Sequence, residues 1–233
     1  MNMKIKEYWN DFLSLIYPNL CLGCDDPLPQ GSKYICPKCH YNLPKTNTHA
    51  LERHTFQEKF MGLVPFSHVL VYAYFIKNGI MQHVLHALKY NDNQEIGIML
   101  GRWYGHDLLL GGYADAFDAI VPVPLHPKKQ EIRGYNQAYC FALGLSEVLK
   151  TPVVEHGLIR TKHIDSQTKK GKVNRILDVE GIFEVQEIDR LKDKRVLLVD
   201  DVLTTGSTLV ACATPLLALP CQALSVAVMA GVK

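Results

Sequence analysis

An α/β fold with a central parallel sheet, preceded by a small N-terminal metal-binding module, is predicted by three features of the sequence. Val196-Leu197-Leu198-Val199 is a run of four aliphatics without polar alternation, the pattern of a strand buried on both faces and covered by helices. Strand-like runs at 69–76, 119–125 and 223–229 are separated by segments with helical spacing, at 80–88, 95–110 and from 126 to about 150. Two Cys-x-x-Cys pairs, Cys21/Cys24 and Cys36/Cys39, stand close together near the start.

The 233 residues, 48% hydrophobic and 21% charged, suffice for one good core and a small appendage. The division expected is residues 1–43 for an N-terminal helix and zinc-ribbon module and residues 60–233 for the α/β domain. A formal net charge of +2 gives no general bias towards nucleic acid. No apolar run is long enough to span a membrane, and Lys4, Lys6, Glu7 and Asp11 interrupt the first residues where a secretory signal would be apolar. A cytoplasmic protein is therefore expected. In a reducing compartment the paired cysteines read as metal ligands, and four thiolates in two knuckles suit one structural tetrahedral Zn2+ held by Cys21, Cys24, Cys36 and Cys39.

Residues 4–16 place Ile5, Trp9, Phe12, Leu13 and Ile16 on one helical face that ends near Pro18. Residues 44–62, polar and poorly periodic, read as a linker. Asn78-Gly79 marks a turn ahead of the helix that leads to Lys89-Tyr90, and Gly111-Gly112 stops the next one. Pro122 and Pro124 restrict the pairing of the second strand. His83, His86 and His106, scattered along helices, receive no ligand role, and neither does His40 beside its four cysteines.

The chemistry is expected where the aliphatic run at 196–199 ends. Asp200 and Asp201 follow, then Val202 and Leu203, then Thr204-Thr205-Gly206-Ser207-Thr208 leading into a helix. Amides at a helix start favour a phosphate, the hydroxyls donate further bonds, and Gly206 allows close approach of the main chain. Carboxylates repel that phosphate but accept hydrogen bonds from ribose hydroxyls or approach a magnesium ion those hydroxyls share. A capping Asp or Thr accounts for one acid and one hydroxyl, not for the set. A second cluster, Lys128, Lys129 and Arg133, follows the strand at 119–125 and suits pyrophosphate, with Arg offering a fork and Lys a point charge.

Residues 196–208 resemble the 5-phosphoribosyl-1-pyrophosphate (PRPP) loop of type I phosphoribosyltransferases at every position. Val121-Pro122-Val123-Pro124-Leu125 with Arg133-Gly134-Tyr135-Asn136-Gln137-Ala138 resembles the ComF family, as does the order of knuckles, basic loop and PRPP loop. The resemblance implies a Rossmann-like phosphoribosyltransferase fold with a central parallel sheet and an N-terminal zinc ribbon. It implies PRPP bound with Mg2+ by residues 200–208, with Asp200 and Asp201 also serving catalysis, and Lys128, Lys129, Arg133 and Arg175 on the pyrophosphate side. The polar stretch 160–183 would be a hood; Gln167 and Arg175 match the family, whereas Asp178 stands where an Asn is usual. A role in natural competence follows, with single-stranded DNA and a competence helicase as partners and Tyr72, Tyr74, Tyr90 or Trp103 as stacking platforms if exposed. Two expectations result: phosphoribosyl transfer to an unidentified acceptor, or DNA handling without catalysis in which PRPP only regulates.

Overall fold

A computed structural model of the 233-residue chain describes residues 18–90, 93–161 and 182–233. The helix expected at 4–16 and the hood residues Gln167, Arg175 and Asp178 lie outside them. Four strands form one parallel sheet: β1 (Val69–Tyr74), β2 (Ala119–Pro122), β5 (Arg195–Leu203) and β6 (Ala223–Gly231), in the order β1-β6-β5-β2. β3 (Leu158–Arg160) and β4 (Phe183–Val185) make a separate antiparallel pair at the two ends of the hood segment.

Period-two alternation divides the sheet's side chains between two apolar layers. Leu70, Tyr72, Ile120, Leu197 and Val199 pack beneath α3 (Ile80–Tyr90), α4 (Gln94–Leu110) and α6 (Gln137–Leu149). Val71, Val121, Val196, Leu198 and Val226 pack on the other face against α8 (Ser207–Leu217), β4 and Phe56 and Phe60. The first layer also contains Cys21, Ile35, Cys36, Cys39 and Leu43, so the cysteine knuckles share the core of the α/β body. Helices α4 and α6 approach so closely that a Cβ on Gly101 would lie 2.3 Å from the Phe141 carbonyl oxygen, and one on Gly144 2.1 Å from that of Ile98. Only glycine fits either position.

Three boundaries depart from the sequence reading. The ladder of β5 continues through both acids to Leu203, because β6 stays in register with it up to the Leu203–Gly231 pair. β2 ends at Pro122 rather than at residue 125, with a last bond from the Val123 N–H to the Val199 carbonyl beyond it. The helix expected from 126 to 150 is two, α5 (Pro127–Arg133) and α6, broken where Gly134 adopts φ 73° and Asn136 caps the second helix by accepting the Ala138 N–H at 3.0 Å.

Residues 44–62, expected as a linker, contribute four buried side chains, Thr46, Thr48, Phe56 and Phe60. They contain α1's successor, the short helix α2 (Thr55–Glu58), with α1 itself at Pro37–Tyr41. The remaining short helix, α7, spans Ile188–Leu191. Thr46 and Thr48 are buried and hydrogen-bond to the Val71 main chain, and Phe56 and Phe60 are buried beneath the sheet. Threonines that satisfy a strand's edge look polar in sequence and carry no periodicity, which is why the segment reads as solvent-exposed.

Candidate functional site

The carboxyl end of β5 and the first turn of α8 form one rim of the site. Gly206 sits at φ 84° and caps α8; a Cβ there would lie 2.7 Å from Phe60 Cε1. Backbone conformation and the Phe60 ring thus both require glycine at this turn. Thr204, Gly206, Ser207 and Thr208 line a small hollow together with Asp200. The Thr205 and Ser207 hydroxyls lie 3.1 Å apart at the loop surface. Lys59 braces the loop from below, donating from Nζ to the carbonyls of Thr204 (2.9 Å) and Val232 (2.8 Å).

The two acids have different surroundings. Asp201 pairs with Lys89 at the end of α3, Oδ2 to Nζ 2.8 Å. Asp200 accepts the Asp201 N–H at 2.8 Å, and its carboxyl is held well above the usual carboxylate range. Burial is the main cause and the Asp201 charge adds to it; the Asp201 N–H, Lys89 and Lys129 pull the other way.

The opposite rim is basic and is assembled by hydrogen bonds across elements. His126 caps α5, its Nδ1 accepting the Lys128 N–H at 3.2 Å. Arg133 Nη1 donates to Gln137 Oε1 at 2.9 Å, and the buried Gln137 amide donates in turn to the Tyr135 carbonyl. Tyr135 donates its hydroxyl hydrogen to the carbonyl of Leu88, the residue before Lys89. Asn136 Nδ2 donates to the Val123 carbonyl at 2.9 Å, tying the start of α6 to the end of β2.

Between the rims lies a cavity of about 400 Å³ lined by Asp200, Asp201, Thr204 and Thr208 on one side and by Lys129 and Arg133 on the other. That volume is in the range of ordinary small-molecule sites, and its position outside the carboxyl ends of parallel strands is where α/β sheets place ligands. Val202 also lines the cavity, and Leu203 the adjoining hollow. Thr205 lines neither, and Lys128, one residue from Lys129, does not line the cavity. Arg175 lies outside the described residues. Two further cations, Lys89 and Arg160, reach the cavity without having been singled out from sequence. Lys89 ends an amphipathic helix, and Arg160 lies in β3, its guanidinium 5.2 Å from the Phe183 ring centre; neither carries a local motif.

The sulfurs of Cys21, Cys24, Cys36 and Cys39 all lie within 4.8 Å of one another. Cys21 Sγ accepts the N–H groups of Cys36 (3.2 Å) and Gly23 (3.4 Å), and Cys36 Sγ accepts that of Cys39 (3.4 Å). Four clustered sulfurs, two of them accepting main-chain N–H groups, fit the donor chemistry of a structural zinc ion. His40 is turned away from such a role, stacked on Trp103 of α4 with ring centres 3.9 Å apart.

A parallel sheet with a strand, acid pair, hydroxyl-glycine turn and helix at its carboxyl end defines an α/β protein with its candidate site at the strand ends, here with a four-cysteine cluster compatible with a zinc ribbon. Competence protein ComFC of Bacillus subtilis is 32% identical over 204 residues, covering 84% of this chain and 78% of that protein. The chain therefore belongs to the ComFC family. Competence protein F of Haemophilus influenzae is 39% identical over 93 residues, 40% of this chain and 41% of its own length. DNA utilization protein YhgH of Escherichia coli K12 is 26% identical across 83% of this chain and 88% of its own. Among solved structures, the glutamine PRPP amidotransferase of B. subtilis matches with a TM-score of 0.37 at 20% identity, over 62% of this chain and 26% of that one. No family model matches the chain.

Proposed function

We propose that the protein binds PRPP in the cavity between the two rims and acts in competence or DNA uptake, with transfer of the phosphoribosyl group to an acceptor as its chemistry. The observation that carries this reading is the single cavity joining the acid pair and loop hydroxyls to Lys129 and Arg133. The first turn of α8 with Thr204, Thr205, Gly206, Ser207 and Thr208 would hold the 5-phosphate on free amides and hydroxyls. Asp200 and Asp201 would accept hydrogen bonds from the ribose hydroxyls. Lys129 and Arg133 would face the pyrophosphate, with Arg175 of the hood as a further candidate.

In that pose the acceptor's nucleophile attacks C1 as the bond from C1 to the pyrophosphate oxygen breaks. Negative charge moves onto the leaving group, where Lys129 and Arg133 stabilise it, and positive charge builds on the sugar ring, which the adjacent carboxylates favour. No protein nucleophile is required. Two neighbouring carboxyls are hard-oxygen donors that fit Mg2+, and a cation between them would oppose the burial and mutual repulsion that push Asp200 up. Such an ion would offset the pyrophosphate charge. Structural Zn2+ is assigned to the four cysteines.

Calorimetry with PRPP and MgCl2 tests the binding step. Asp201→Ala should weaken affinity roughly ten- to hundredfold, the loss of about 1.5–3 kcal/mol for a charged hydrogen bond. Unchanged affinity would remove Asp201 from the site. Release of pyrophosphate from PRPP with nucleobase and amine acceptors tests transfer.

The relatives' names, competence protein and DNA utilization protein, support a second reading: single-stranded DNA handling, with a helicase-type partner and with PRPP as a regulator only. Tyr41 on the knuckle helix α1 and Tyr90 at the end of α3 are exposed and available for stacking, whereas Tyr72 is buried. A mobility-shift assay in rising salt distinguishes the two readings. Salt-sensitive retention of single-stranded DNA without PRPP consumption favours the second.

A further inference from the structure

Lys89 has no part in the functional reading above, yet its ammonium occupies the mouth of the acid pair. It stands 2.8 Å from Asp201 Oδ2, both side chains are only about one-fifth exposed (22% and 21%), and both line the same cavity as Lys129 and Arg133. Its helix end is fixed rather than frayed, because the buried Tyr135 ring donates its hydroxyl hydrogen to the Leu88 carbonyl. Tyr135 in turn lies between Arg133 and Gln137, which are hydrogen-bonded to each other on the basic rim. Lys89 is therefore placed between the acids and the anion-facing wall, on a long flexible stem able to turn to either.

We propose that Lys89 is a resident counter-ion of Asp201 that must be exchanged when a phosphoribosyl ligand enters with its divalent cation. This rests on the proposed use of the cavity. A free divalent ion arriving alone has to compete with a lysine already paired to Asp201, and the displaced ammonium is left without a partner in a partly dry pocket. When a pyrophosphate arrives with the ion, it supplies that partner. Asp200 and Asp201 would then hold the ion while Lys89 would donate to a phosphate oxygen. Lys89 is in this way a positioning and selectivity residue: it disfavours metal binding to the empty site and makes ion and sugar phosphate bind together.

The test is titration of the full chain with MnCl2, followed by water-proton relaxation, first without and then with PRPP, for the parent protein and Lys89→Met. In the parent, Mn2+ should bind weakly alone and on the order of tenfold more tightly when PRPP is present. In Lys89→Met, Mn2+ alone should bind on the order of tenfold more tightly than in the parent, and PRPP should add less. Asp201→Asn placed in the Lys89→Met background should abolish the gain, which excludes a site elsewhere. Equal Mn2+ affinity in the parent and Lys89→Met, both folded by circular dichroism, overturns the proposal. Should Lys89→Met not fold, Lys89→Gln is read the same way. A parent that binds no PRPP defeats the phosphoribosyl reading while the Mn2+ comparison still decides the role of Lys89; PRPP binding with unchanged Mn2+ affinity defeats Lys89 alone.

Discussion

The two rims of the cavity are built by different means. The acidic and hydroxyl rim is contiguous: thirteen consecutive residues supply strand, acids, turn and helix start, with Phe60, Lys59, Lys89 and the β6 ladder as distant supports among the described residues. The basic rim is joined across separate elements by side-chain hydrogen bonds. Its Arg133 is oriented by Gln137, its helix start is tied to β2 through Asn136, and Tyr135 links it to the end of α3, 47 positions earlier in the chain. A site half encoded by contiguous sequence and half by tertiary hydrogen bonds should fail differently when each half is damaged.

The largest expected effect is on the local rim. Gly206→Val places a β-branched residue at φ 84° and drives its Cβ against the Phe60 ring. The backbone and overpacking costs together are about 3 kcal/mol. Urea unfolding should show that loss, and PRPP affinity should fall below detection because the loop cannot keep its shape. If Gly206→Val retains both stability and binding, this rim is not fixed by its own backbone, and the contrast with the basic rim is lost.

Damage to the basic rim should be smaller but wider in reach. Tyr135, only 7% exposed, loses one hydroxyl in Tyr135→Phe, and the carbonyl of the fully buried Leu88 loses the hydrogen bond it now accepts. A loss of about 1–2 kcal/mol is expected in urea unfolding. Hydrogen exchange should rise at the end of α3 as well as near α5, since the hydroxyl joins them. Loosening confined to residues beside Tyr135 would show that the two elements are held independently.

What was legible in the sequence follows the same division. The buried strand, acid pair, loop and helix could be read because each signal lies within a few residues of the next. The cysteine cluster could be read because its two knuckles repeat one spacing, and the order of strands and helices followed from periodicity. Lys89 and Arg160 could not be found, since a lysine ending one helix and an arginine in a three-residue strand acquire meaning only when the sheet brings them to one cavity. Residues 44–62 were misread for a related reason: Thr46 and Thr48 spend their hydroxyls on the main chain of β1, a use that polarity alone conceals. The break between α5 and α6 had a visible cue in Gly134 and Asn136, but helical spacing on either side outweighed it.

Lys128 and Lys129 sharpen the comparison most finely, because sequence gives them one role and the fold gives them two. Both lie in α5, whose start is set by His126 and Pro127. Successive residues on a helix point about 100° apart, so neighbouring side chains of α5 are not aimed at the same hollow. Lys129 lines the cavity and Lys128 does not. Lys129→Ala should therefore weaken PRPP binding several-fold, near the 1 kcal/mol expected of a partly exposed ion pair, and should reduce the dependence of affinity on salt. Lys128→Ala should leave both within error, and neither substitution should alter urea stability. Equal losses from the two would mean that PRPP senses only the general charge of the loop. A loss from Lys129 alone would show that the basic rim works by placement, through the helix start and glycine stop that determine which way each side chain faces.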